Sequence, residues 1–148
     1  MVRDLKLELK TASINSLYYA NVRHGKTKAA KEWTLDVFRQ LRKYETELTE
    51  LREYFEPANH VYGVSMKILI PEHVLFTKAG ELTSLVHDLS NVEKPLIDLL
   101  FLPKHFNECP QLNVDDRYLC YLRSAKVPTK NSYGIELTIE ILSKPLAA

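Results

Sequence analysis

The sequence predicts an α/β chain of the α+β kind: a single domain over residues 1–148, with one long and one shorter helix packed on a mixed β-sheet and a β-hairpin at the end. Two spacings and their order predict it. Apolar residues alternate with polar ones over 5–10, 61–70 and 135–142, the period of a strand with one buried face. Between the first two of these stretches, apolar residues recur at steps of three and four, the period of a helix with a buried stripe. The order strand, helix, strand, helix, hairpin runs without repeats, low-complexity tracts or an interdomain linker, which implies one sheet with helices laid on it.

At 148 residues, 45% hydrophobic and 26% charged, the chain is long enough to bury a core without disulfides or metal staples. Its formal net charge of +1 excludes a global basic field. Nucleic-acid binding would therefore rest on a local patch or on two chains pooling their charge. Cys109 and Cys120 are too few for a secreted disulfide scaffold, and no signal-like apolar run precedes the first charged strand. No stretch approaches the length of a membrane span. A cytoplasmic protein with free thiols is expected. His105 and Cys109 are a lone pair without zinc spacing, and the other histidines are scattered.

In chain order, Leu5, Leu7 and Leu9 alternate with Lys6, Glu8 and Lys10 as a half-buried strand. Residues 11–28 lack periodicity but interleave aromatics and bases: Asn15, Tyr18, Tyr19, Arg23, His24, Lys26 and Lys28. Such a loop suits phosphate contacts by Arg23, Lys26 and Lys28 with a tyrosine on a sugar or base, or else it is a solvated loop whose tyrosines cover the core edge. Trp33, Val37, Leu41, Tyr44, Leu48, Leu51 and Phe55 then form one stripe opposite Arg39, Arg42, Lys43, Glu47 and Glu50, predicting one long helix stopped by Pro57 and Asn59. Tyr62, Val64, Met66, Ile68 and Ile70 make the apolar face of a strand ended by Pro71. The segment up to His87 is irregular, with turn chemistry at Lys78, Ala79 and Gly80, and it is long for a connection in a compact domain. A second helix is predicted over 90–102, broken at Pro103, followed by a polar loop over 104–113. Strands over 117–126 and 134–142, joined through Pro128, Asn131 and Ser132, predict an antiparallel hairpin.

The chemistry-bearing stretch is 87–100, with Asp115 and Asp116 downstream. On a helix, Asn91, Lys94 and Asp98 fall on one polar stripe, while Leu96, Leu99 and Leu100 face elsewhere. A carboxylate before a helix start, a lysine one turn in and a further acidic pair is the inventory for holding a hard divalent cation against a phosphodiester. Each residue also has a plainer use. Asp88 can cap the helix or form a turn, and Asn91 is an alternative cap. Ser90 with Glu93 reads as a capping box. Lys94 can be a surface lysine paired with Asp98, and the doublet can be a turn before a strand.

In Asp88-Leu89-Ser90-Asn91, Lys94-Pro95, Asp98, Asp115-Asp116 and Lys126, the chain resembles the RusA-type Holliday-junction resolvases of phages and prophages. Order and spacing agree over 88–141, with a weaker echo over 15–31. Ser90 stands where that family usually carries its second acidic residue, and the basic segment before the first aspartate is diluted over 78–87. The resemblance implies a homodimeric endonuclease that resolves four-way DNA junctions with Mg²⁺, or Mn²⁺ in its place, in the cytoplasm of the host cell. It implies Asp88, Asp116 and Lys94 as catalytic residues, and Asp88, Asp116 and Asp115 as metal ligands. Ser90, Asn91 and Asp98 would support them. Asn15, Tyr18, Arg23, Lys26, Lys28, Lys78 and Lys126 would contact DNA. Glu72 and Glu81 are further acids that could offset Ser90. Two other readings keep the fold: a branched-DNA binding protein that cleaves weakly or not at all, and a protein-interaction domain without DNA affinity.

Overall fold

The computed structural model describes residues 1–9, 28–83, 89–101 and 111–145, with the backbone alone at 29, 30, 90 and 91. Strand β1, Val2–Leu7, turns Leu5 and Leu7 inward and leaves Asp4 and Lys6 in solvent, as the alternation predicts. The long helix expected over 33–55 is two helices, α1 (Lys28–Arg42) and α2 (Glu45–Tyr54). Between them Lys43 N–H and Tyr44 N–H bond back to the Gln40 and Leu41 carbonyls at 3.2 and 2.9 Å, tightening the last turn of α1. The Tyr44 hydroxyl then clamps β1, accepting from Lys6 N–H and donating to the Lys6 carbonyl, each at 3.0 Å. The apolar stripe survives the break. Trp33, Val37, Leu41, Leu48, Leu51 and Phe55 are all buried, because Leu41 and Leu48 remain in phase across the turn.

Strand β2, His60–Pro71, carries the expected apolar face of Tyr62, Val64, Met66, Ile68 and Ile70, all buried. A short helix α3 (Glu72–Leu75) follows, and then a turn with Gly80 at φ +82 closed by a Phe76 to Leu82 bridge. Helix α4, Ser90–Phe101, leads to a 3-10 turn, Asp116–Tyr118, and strands β3 (Leu119–Thr129) and β4 (Gly134–Ser143).

The predicted mixed sheet is present, but its last two strands do not pair with each other. The order is β1-β4-β2-β3, with β4 antiparallel to both β1 and β2 and β3 parallel to β2. The hairpin expected over 117–142 is thus replaced by a connection that carries the chain past β2. Burial decides this. Ile135, Leu137, Ile139 and Ile141 give β4 a buried face that a central position satisfies. β3 is partly or fully exposed along its length and contains Pro128, which cannot donate to a ladder and so belongs on an edge. Parallel β2 and β3 require the crossover that α4 supplies.

The helices and the inward face of the sheet share one core cluster. At its amino-terminal end of β2, Tyr62 stacks on Phe55 at 4.5 Å and meets Phe101 edge-on at 5.5 Å, while Tyr118 meets Phe55 edge-on at 5.5 Å. Burial pushes the Tyr62 phenol well above its ordinary pKa, with nearby Arg52 pulling the other way.

Candidate functional site

Helix α4 is built by its apolar side. Val92, Leu96, Ile97, Leu99, Leu100 and Phe101 are buried, so Lys94 and Asp98, one turn apart, are left on the solvent side as the spacing predicts. Its start differs from the capping box expected at Ser90. The Leu89 carbonyl accepts from Val92 N–H at 3.0 Å and from Glu93 N–H at 2.9 Å, so the helix begins on Leu89 and Ser90 lies in its first turn. Glu93 N–H, the donor a capping serine would take, is already bonded. Pro95 lies inside the helix and offers no N–H to the Asn91 carbonyl.

Asp115 and Asp116 are both exposed. Asp115 caps the 3-10 turn, its carboxylate accepting from Arg117 N–H at 2.8 Å, which is the turn role open to it from sequence. The approach to the doublet is pinned from two sides. Leu112 N–H donates to the Leu100 carbonyl at 2.9 Å, and the Arg52 guanidinium donates to the Gln111 carbonyl at 2.6 Å.

These bonds set which groups meet. The Leu112 bond and the run of rings from Phe101 through Tyr62 and Phe55 to Tyr118 seat the doublet beside the Phe101 end of α4. Ser90, eleven residues earlier in a helix of 12, is about 16 Å away along the axis. Lys94 is about 10 Å from that end by the same rise. Lys126 is half-buried on the helix side of β3, in register with Ile68, and so lies about 23 Å up the strand from Leu119, towards the other end of α4. One chain therefore sorts the candidates into two groups: the helix start, Lys94 and Lys126 towards the carboxyl ends of β2 and β3, and Asp115 with Asp116 at the opposite ends.

Lys28 opens α1 and Lys78 lies on the turn after α3, both exposed, as are Glu72 and Glu81. Asp88, Asn15, Tyr18, Arg23 and Lys26 lie outside the described residues, as do the side chains of Ser90 and Asn91. Among the described residues no three of His, Cys, Asp and Glu gather as a metal would require. Also among them, no helix is long and apolar enough to cross a membrane.

The structure adds a group that lies outside the acidic and basic run. Tyr121 and Arg123 on β3, with Ser65 and Lys67 on β2, share the sheet face turned away from the helices. Their signal in the sequence is the alternation of 121, 123 and 125 in β3, legible only once the facing of β3 is known. The sequence matches no protein-family model and no curated protein.

Proposed function

We propose that the chain is a structure-selective endonuclease that acts on four-way DNA junctions as a homodimer, in the manner of the RusA-type resolvases it resembles. The ordered run Asp88, Asn91, Lys94, Asp98, Asp115, Asp116, Lys126 carries this reading. It is supported by the elements on which the run falls: a helix start, the turn leading into an edge strand, and that strand. Lys94 stands free of the core and can meet a phosphate. The length of α4 adds a condition. A Mg²⁺ or Mn²⁺ ion held by both Asp88 and Asp116 draws its carboxylates from two chains, since one chain keeps the doublet at the far end of the helix from residue 90. A two-fold dimer then carries two such sites, one for each of two opposed strands. A cytoplasmic location belongs to the same proposal.

Incubation of the protein and Mg²⁺ with an end-labelled four-way junction, beside linear duplex of the same sequence, tests this. Paired nicks in the junction alone are expected, and they should be lost in Asp88→Asn and Asp116→Asn. A protein that neither shifts nor cuts the junction ends the proposal. A second reading, junction binding without cleavage, is favoured by Ser90 at the position where the resembled family carries an acidic residue. It expects salt-sensitive junction binding without products, and a gain of nicking in Ser90→Asp.

A further inference from the structure

Among the described residues the helices pack on one face of the sheet, and the opposite face divides into two halves of different chemistry. On the β1–β4 half, Glu136 is 3.9 Å from Lys6, and Asp4 accepts from the Thr138 hydroxyl at 2.7 Å, with Glu140 one step further along. On the β2–β3 half, Gly63 is in register with Tyr121, Ser65 with Arg123, and Lys67 with Ala125. Neither Lys67 nor Arg123 is in an ion pair among the described residues. Tyr121 is 40% exposed although it lies within a strand. Its ring comes down on Gly63, where a Cβ would stand 3.2 Å from Tyr121 Cδ1, and the Arg123 guanidinium lies 5.6 Å from the ring centroid.

We propose that this β2–β3 half is a stacking surface for unpaired bases of a single-stranded nucleic acid, with Tyr121 as the platform and Arg123 and Lys67, one and two same-face steps towards the carboxyl ends of the strands, holding the phosphates. An aromatic ring resting on a strand, with cations one and two same-face steps along, is an arrangement that takes up splayed bases, which offer a π-face that stacked duplex bases do not. Glu136 and Glu140 on β4 are in register with Lys67 and Gly63, so they border this surface on its β4 side, repel phosphate there and direct the strand along the β3 edge. An acidic peptide would use the two cations but would have no need of the ring. The surface is separate from the candidate nuclease residues, and this inference stands or falls apart from them.

Fluorescence anisotropy of a labelled thymidine 20-mer with the full-length protein, in EDTA so that nicking plays no part, tests it. The oligonucleotide should bind more tightly than a duplex of the same length. Tyr121→Ala should weaken it about tenfold or more, and Tyr121→Phe should retain it. Arg123→Glu or Lys67→Glu should weaken it and flatten the dependence of log K on log salt by about 0.7 for each phosphate that the variant leaves without its cation. Thermal unfolding by circular dichroism checks that each variant is folded, and Arg123→Glu and Lys67→Glu carry the test if Tyr121→Ala is not. The proposal is overturned by no binding of the 20-mer, by preference for duplex, or by binding that Tyr121→Ala and Arg123→Glu leave unchanged. It is overturned equally if sedimentation shows a dimer that Arg123→Glu dissociates, since a second copy would then occupy this face.

Discussion

Gly63 shows how much one missing side chain decides. In sequence it is a weak point in a strand; in the fold it lets Tyr121 and Leu142 close over β2, and a Cβ would meet them at 3.2 and 3.3 Å. Both neighbours are side chains on the helix-free face and can yield, so Gly63→Ala should cost about 1 kcal/mol, at the low end for overpacking. Urea unfolding would read this as a lower midpoint with an unchanged slope. A turn at the Asp115-Asp116 doublet and a capping box at Ser90 were both legible in sequence, and the backbone bears out the first. Asp115 does cap a turn, while the donor expected to bond Ser90 is taken by the Leu89 carbonyl. Cap chemistry is visible in sequence, but which residue fills the cap depends on where the backbone leaves the helix, and that can shift by one residue without changing the pattern.

Among the elements, strands β1, β2 and β4 and helix α4 follow their periodicity closely, because each buries one face and the period records that face. The break between α1 and α2 left no such record. A tightened turn at residues 43–44 keeps the stripe in phase, and its anchor, the Tyr44 hydroxyl on Lys6, reaches across 38 residues of chain. In α4, Pro95 removes one backbone bond and crowds the Asn91 carbonyl. Pro95→Ala should therefore stabilise the protein by about 1–3 kcal/mol, seen as a higher Tm by calorimetry, with nicking by the folded protein retained. A lower Tm would mean that the ring's packing on the core outweighs the missing bond.

Across the whole molecule, the crossover through α4 places the acidic doublet and the start of the motif helix at opposite ends of the β2–α4–β3 unit. If the nuclease site is shared between two chains, Asp88→Asn and Asp116→Asn proteins, each inactive alone, should complement when mixed. Each mixed dimer would carry one intact site, and the products should be single nicks rather than paired ones. A mixture as inactive as its components would mean that each site is built within one chain.

The amino-acid sequence alone determined the mixed sheet, the buried faces, the helix at residue 90 and the run of acidic and basic residues along it, because each is written within a few residues as a period or a spacing. Only the tertiary structure decided that β4 enters the centre of the sheet, that β3 becomes an open edge with Tyr121 and Arg123 on its helix-free face, and that the doublet lies a helix length from residue 90. Strand order is settled by competition among distant segments for the most buried position. No local stretch of sequence carries the outcome of that competition.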